Sequence, residues 1–148
     1  MPTIREQLLG TWRLVSYYTE GTDGSIVYPM GQDVSGFIMY APDGYMSANL
    51  MVPGRPPYTG GMANTAAHEE LAAAALGYFG YAGRYEVDEH ARAVRHQIEV
   101  ALAPNFAGST QLRHLAFEGR RLVLRGDPVP IAGRLAAHVI AWERADPN

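Results

Sequence analysis

The chain has 148 residues and a formal net charge of −3, and all 12 of its basic residues are arginine. The absence of cysteine excludes disulfides, thiolate catalysis and cysteine-ligated metals, and the absence of lysine excludes Schiff-base chemistry. Because no basic run is longer than Arg120-Arg121, we expect no nucleic-acid partner. A chain of this length predicts a single domain over residues 1–148.

The sequence lacks the features of a membrane or exported protein. It has no run of about twenty apolar residues, the length that a membrane span needs. The polar residues 1–7 also lack the basic flank and apolar segment of an export signal. We therefore expect a cytoplasmic protein without a membrane span.

Alternation of apolar and polar residues predicts an all-β antiparallel meander with eight main strands. The predicted strands cover residues 11–19, 36–40, 45–51, 81–87, 94–102, 111–117, 121–125 and 134–144. Pro42-Asp43-Gly44 and Glu118-Gly119 supply turn residues for two hairpins. A short additional strand is predicted near residues 26–28.

One helix is predicted to interrupt the strands, over residues 64–76. Asn64 or Thr65 suits its N-cap and Gly77 suits its end. Four residues share one face by helical spacing: His68, Leu71, Ala72 and Ala75. The helix could lie over an opening as a lid, but a plain crossover packed on the wall is the alternative we favour.

Motifs at both ends of the chain point to a barrel family. Gly10-Thr11-Trp12 and Trp142-Glu143-Arg144 resemble the signature with which lipocalin-type barrels close one end. Three further segments strengthen the match: Tyr40-Ala41-Pro42-Asp43-Gly44-Tyr45-Met46-Ser47, Tyr81-Ala82-Gly83-Arg84-Tyr85-Glu86-Val87 and Pro104-Asn105-Phe106-Ala107-Gly108. Together they resemble the bacterial and fungal lipocalin-like domain family.

The resemblance implies an antiparallel up-and-down lipocalin-like β-barrel of about eight strands with one inserted α-helix, able to hold one small ligand. Two positions depart from the family pattern. Phe106 stands where members often have tryptophan, and Arg95-His96 stands where they often have two histidines. His96 is therefore the histidine that matches the family.

The inward face of each strand follows from Trp12, which the resemblance places inside. Strict alternation then turns Ser16 and Tyr18 inward and Tyr17 outward. Arg144 is expected to cover the Trp12 indole in a cation–π contact at the closed end.

Alternation also turns His96 inward together with Val94 and Ile98. His138 has the parity of Arg144, which places it inside as well. In the third strand Tyr45, Ser47 and Asn49 share one face, and the apolar alternative is formed by Met46, Ala48 and Leu50.

Polar residues expected in the cup form the candidate site. An inward histidine can move a proton, a tyrosine offers a hydroxyl, and an arginine can hold an enolate or carboxylate. The candidate catalytic residues are His96, Tyr45 and His138. The candidate ligand-binding residues are Tyr18, Tyr40, Ser47, Asn49, Tyr81, Tyr85 and Arg113.

No cofactor or metal is expected. The sequence has no phosphate loop, dinucleotide fingerprint or nucleophile elbow. Its histidines do not have the spacing of a metal motif, so a metal site would require His96 and His138 to converge with a carboxylate.

We expect the protein to bind an apolar small molecule and to act on it without a cofactor, as a cyclase, isomerase or dehydratase of a polyketide- or terpenoid-like intermediate. The alternative is a non-catalytic carrier or sensor of a hydrophobic ligand. In a third hypothesis the barrel is filled by its own aromatic residues and functions through its outer wall, for example as a homodimer.

Overall fold

The computed structural model describes residues 1–147, which form ten strands and two α-helices. The elements are α1 (Ile4–Leu8), β1 (Gly10–Gly21), β2 (Ile26–Val27), β3 (Ser35–Tyr40), β4 (Tyr45–Met51), α2 (His68–Leu76), β5 (Tyr78–Asp88), β6 (Ala93–Ala101), β7 (Thr110–Glu118), β8 (Arg121–Arg125), β9 (Val129–Ile131) and β10 (Arg134–Arg144). A 3-10 turn at Ala63–Thr65 precedes α2.

The strands form a closed antiparallel barrel. Eight of them follow one another in the order β1-β3-β4-β5-β6-β7-β8-β10, and β1 pairs with β10 to close the sheet. The short strands β2 and β9 extend the edges of β1 and β10 near the open end. The predicted all-β barrel of about eight strands is therefore confirmed. The three-residue strand β9 was not predicted, because a segment this short with a central proline shows no strand pattern in the sequence.

Trp12 and Arg144 close one end of the barrel, as predicted. The Arg144 guanidinium lies 3.8 Å from the centre of the Trp12 ring. The indole N–H donates to the Leu8 carbonyl at 2.9 Å, and Arg144 donates to the carbonyl of Leu9 at 2.5 Å and to that of Gln7. Helix α1 thus seals the floor of the barrel.

Helix α1 was not predicted because its five residues are too few to show a helical period. Thr3 and Glu6 form a reciprocal capping box at its start. Ile4 and Leu8 are buried beneath the barrel, so tertiary packing stabilises a helix that would not persist alone.

A β-bulge in β1 reverses the predicted orientation of its second half. The register with β10 shifts between Leu14 and Ser16, so that Val15 is an extra residue. Tyr17 consequently lines the barrel interior, while Tyr18 packs against Tyr28 at 6.0 Å and does not line the cavity. The predicted inward orientation of Tyr18 is wrong because strict alternation does not survive a bulge.

Strand β4 turns its apolar face inward. Met46, Ala48 and Leu50 are buried, since burial of apolar area outweighs any gain from placing polar groups inside. The predicted inward orientation of Tyr45, Ser47 and Asn49 is therefore wrong. Tyr45 is 45% exposed and lies under the Arg84 guanidinium, the two centres being 5.4 Å apart. Asn49, on the same outer face as Tyr45, accepts a hydrogen bond from the Tyr78 hydroxyl.

Helix α2 begins later than predicted, because the 3-10 turn occupies the expected N-cap residues Asn64 and Thr65. Glu70 stabilises the start of the helix by accepting hydrogen bonds from the backbone N–H groups of Ala67 at 3.1 Å and Thr59 at 2.7 Å. The helix ends at Gly77 as predicted.

Helix α2 lies at the rim of the barrel. None of its side chains is buried, and only Ala75 and Leu76 of its last turn line the interior. Arg55 holds that turn by donating to the Ala74 carbonyl at 3.0 Å, and its guanidinium lies 5.3 Å from the Tyr78 ring. Within residues 1–147, no helix has the length and apolar character needed to cross a bilayer.

The closed end predicts the outcome of removing Trp12. Trp12→Ala removes a side chain that is 2% exposed, and we expect it to lower the free energy of unfolding by about 3–5 kcal/mol in chemical denaturation. The matched control Tyr45→Ala removes an aromatic ring from the outer face and should cost less than about 1 kcal/mol. A Trp12→Ala protein as stable as the control would show that the floor does not depend on this contact.

Candidate functional site

The barrel encloses a cavity of about 310 Å³. It is bounded below by the filled floor and opens beside the last turn of α2. Most of its wall is apolar, with a few polar side chains. The lining residues are Tyr17, Pro29, Met30, Ile38, Ala48, Leu50, Ala75, Leu76, Tyr78, Phe79, Tyr81, His96, Phe106, Arg113, Leu124, His138, Ile140 and Trp142.

His96 lies in the cavity wall between two tyrosines. It is 1% exposed, and β6 presents it on the same face as Val94 and Ile98, as alternation predicts. The Tyr40 hydroxyl lies 2.6 Å from Nε2, and the Tyr81 hydroxyl lies 2.9 Å from Nδ1. Both ring nitrogens are therefore engaged by the protein itself.

The donor and acceptor roles in this cluster follow from the burial of Tyr40. Tyr40 is 1% exposed, and among residues 1–147 His96 is the only partner of its hydroxyl. If Tyr40 only accepted from Nε2–H, its own buried proton would be unpaired, at a cost of about 1–3 kcal/mol. We therefore assign Tyr40 as donor to Nε2, and Nδ1–H as donor to the Tyr81 oxygen. The Tyr81 O–H then remains to donate into the cavity.

Burial keeps the groups of this cluster uncharged. It lowers the pKa of His96 to about 3, with a further contribution from the positive charge of Arg113. Burial also raises the pKa of Tyr40 and of Tyr81 above the ordinary tyrosine value. At neutral pH the cluster is a neutral hydrogen-bonded chain that ends at the Tyr81 hydroxyl.

A second tyrosine–histidine pair lines another part of the wall. The Tyr17 hydroxyl lies 2.8 Å from Nδ1 of His138, and the two rings stack with their centres 5.8 Å apart. Burial raises the pKa of Tyr17 to about 12 and lowers the pKa of His138. Alternation correctly predicts that His138 faces inward. The inward orientation of Tyr17 could have been predicted only by recognising the β1 bulge in the sequence.

Arg113 also lines the cavity, from β7. It is half-buried and donates through Nη1 to the Leu112 carbonyl at 2.9 Å. Its positive charge reaches both histidines, where it adds to burial in lowering their pKa values. Among residues 1–147, no carboxylate lies within salt-bridge distance of Arg113.

The structure brings together only some of the candidate site residues. His96, His138, Tyr81 and Arg113 line the cavity, and Tyr40 lies directly behind His96. Tyr85 is buried in the floor, where its hydroxyl donates to the Ala41 carbonyl at 2.7 Å, so it does not reach the cavity. The remaining candidates lie on the outer face: Tyr18, Tyr45, Ser47 and Asn49.

The aromatic wall was only partly foreseen. Phe79 and Phe106 line the cavity and meet edge to face, with ring centres 5.1 Å apart. Phe106 lies in the loop between β6 and β7, where alternation carries no information about orientation. Its match to the family segment around Pro104 is the one signal in the sequence that singles it out.

The described residues 1–147 contain no group of three or more His, Cys, Asp or Glu side chains placed to hold a metal ion. His96 and His138 share the cavity, but each has Nδ1 engaged by a tyrosine hydroxyl. The absence of a metal and of a cofactor stays a prediction.

The lowered pKa of His96 predicts a pH dependence of stability. The unfolded chain, in which histidine has a pKa near 6.5, binds more protons than the folded one down to about pH 3. The free energy of unfolding should therefore fall as the pH drops below about 6.5, by up to about 1.4 kcal/mol per pH unit.

His96→Gln removes this contribution and leaves that of His138. We expect denaturation at about pH 7 and about pH 4.5 to show a smaller acid-induced loss for the variant than for the wild type. Equal losses in the two proteins would contradict a buried neutral His96.

Comparison with known proteins agrees with this architecture. The family model described as a lipocalin-like domain matches residues 9–145. A relative from Aspergillus oryzae, named as a 4′-hydroxy-3′-methoxypropiophenone carrier protein, is 34% identical over 106 residues, which cover 67% of this chain and 96% of the relative. The resemblance carried by the closing motifs is thus confirmed, and the chain belongs to the lipocalin-like domain family.

Proposed function

We propose that this protein is a carrier that holds an apolar aryl ketone in its barrel cavity and releases it unchanged. The observation that carries the proposal is an apolar cavity of about 310 Å³ into which a few hydrogen-bond donors converge. Cavities of roughly 300–1,000 Å³ with this character are typical small-molecule sites. The family and the printed name of the Aspergillus oryzae relative support the same class of function.

The wall suits an aromatic ligand with one polar end. Phe79 contacts Phe106 and Tyr81 edge to face, with ring centres 5.1 Å and 5.8 Å apart. These rings offer both faces and edges to a ligand ring. The Tyr81 O–H, which is free by the assignment above, can donate to a ligand carbonyl, and the Tyr81 oxygen lies 2.9 Å from Nδ1 of His96.

The position of His96 favours a carrier over the cyclase or isomerase expected from the sequence. A general base must reach the proton that it removes and must have a pKa suited to accepting it. His96 has both nitrogens occupied by tyrosine hydroxyls, and burial lowers its pKa to about 3. We infer that His96 is a positioning residue for Tyr81.

A specific observation supports a second candidate function, a cofactor-independent isomerase or cyclase. The Tyr17–His138 pair lines the cavity together with Arg113. A neutral His138 could take a proton next to a ligand carbonyl, and Arg113 could hold the resulting enolate. This arrangement moves the catalytic role from His96 to His138.

Filling the cavity should weaken ligand binding. Ala48 is buried in its wall, whereas the neighbouring Ser47 lies on the outer face. We expect Ala48→Phe to weaken binding of a 4-hydroxyphenyl alkyl ketone by at least about tenfold in calorimetry, because the added ring occupies the ligand volume. The matched control Ser47→Phe should bind like the wild type. Equal affinity of both variants would place the ligand elsewhere.

Recovery of the ligand distinguishes carriage from catalysis. As a carrier, the protein should return the ketone chemically unchanged after prolonged incubation, as judged by mass spectrometry and NMR. If product forms, we expect His138→Gln to slow turnover by about a hundredfold with little change in affinity. His96→Gln is the comparison: a similar loss without altered ligand geometry would return the base role to His96.

A further inference from the structure

Arg113 is a cation in an apolar cavity without a matching anion. No Asp or Glu is among the residues that line the cavity. The salt bridges within residues 1–147 involve three other arginines and His114, and in that part of the chain Arg113 donates only to the Leu112 carbonyl. A partly desolvated charge is costly unless it is paired. The protein part of the site is therefore electrostatically incomplete.

The polar groups around Arg113 also offer more donors than acceptors. A guanidinium only donates, and Tyr81 has a free O–H by the assignment above. The Tyr17–His138 pair has one free donor in either tautomer, since the hydrogen bond between them uses one of their two protons.

We propose that Arg113 selects ligands that carry an acidic oxygen conjugated with the ketone, such as a 4-hydroxyphenyl ketone, and binds them as the oxyanion. The inference rests on the proposed function, because it specifies the ionisation state of the bound ligand. An oxyanion supplies both the missing negative charge and the missing acceptors, and its hydrogen bonds to a guanidinium are stronger than neutral ones.

The proton balance is simple. The free ligand is a neutral phenol below its own pKa, and on binding it loses one proton to the solvent and keeps its electron pair on oxygen. Conjugation with the carbonyl spreads the charge and makes this phenol more acidic than a tyrosine. Binding below that pKa should therefore release up to one proton per ligand.

The protein groups that face Arg113 do not titrate in the same range. They are Tyr17 from β1, Tyr81 from β5, His96 from β6 and His138 from β10. Burial places the pKa of His96 at about 3 and that of Tyr17 at about 12, and it shifts the pKa of His138 down and that of Tyr81 up. From β4 and β8 the cavity receives only Ala48, Leu50 and Leu124, which carry no charge. Because the two histidine pKa values lie below the ordinary value of about 6.5 and the two tyrosine pKa values lie above about 10, a rise in affinity between about pH 7 and about pH 10 would come from the ligand.

The test compares a 4-hydroxyphenyl alkyl ketone with its 4-methoxy ether, which has the same ring and carbonyl but no acidic proton. At a pH below the phenol's pKa, we expect the wild-type protein to shift the absorption of the phenol to that of its phenolate. The phenol should bind at least about tenfold more tightly than the ether, the gain expected for a charge-assisted contact. Its affinity should rise with pH and level off above the pKa, while that of the ether stays constant.

Arg113→Gln removes the charge and keeps a polar side chain. We expect it to abolish the phenolate spectrum and to reduce phenol affinity to that of the ether, without affecting the ether. Arg84→Gln is the matched control, because Arg84 lies on the outer face with a side chain that is 63% exposed. A phenolate spectrum that survives in Arg113→Gln would overturn the role of Arg113.

The outcomes separate this inference from the function beneath it. If the wild type binds phenol and ether equally and the bound phenol stays neutral, the oxyanion inference is wrong and the carrier function stands. If it binds neither, the carrier function fails and the inference fails with it. Should Arg113→Gln not fold, the wild-type comparison of phenol and ether across pH still decides.

Discussion

The contact between the Arg144 guanidinium and the Trp12 indole determines which end of the barrel is closed and which end can hold a cavity. A small barrel has little interior to spare, and any unfilled volume loses dispersion contacts. Here α1, Trp12 and the buried aromatic residues of the floor pack into one half of the barrel. The open half can then remain hollow without loss of the fold, because β1 and β10 pair from Trp12↔Arg144 at the floor to Gly21↔Ala136 at the other end and so close the sheet.

The boundary between the filled and hollow halves is where the polar chemistry lies. Tyr40 belongs to the filled side, Tyr81 to the hollow side, and His96 connects them. A fully buried hydroxyl needs an acceptor for its proton, and for Tyr40 that acceptor is Nε2 of His96. The His96 proton is therefore on Nδ1 and is donated to the Tyr81 oxygen, so the Tyr81 proton points into the cavity. Packing in the floor thereby determines hydrogen bonding in the cavity, and no ionised group is needed to transmit it.

Much of the fold was predictable because its signals are local or anchored. The eight main strands, the end of α2 at Gly77 and the Trp12–Arg144 contact follow from alternation, turn residues and the closing motifs. Orientation within strands was less predictable. The extra residue Val15 places Tyr17 inside the barrel and Tyr18 outside, the reverse of the prediction. Strand β4 has one polar and one apolar face, and which of them points inward depends on the packing of the whole core. The convergence of two tyrosine–histidine pairs on Arg113 depends on strands far apart in sequence, which a single sequence does not align.

Helix α2 lies on the rim of the barrel and contributes little to its core. Displacing its last turn would break the Arg55 contacts, whereas Ala75 and Leu76 are already exposed and no side chain of the helix is part of the core. Movement of this turn would therefore cost only a few contacts and would leave the buried core unchanged. The shape of the rim can therefore change, by local motion or by substitution, without loss of the stability that the core of the barrel provides.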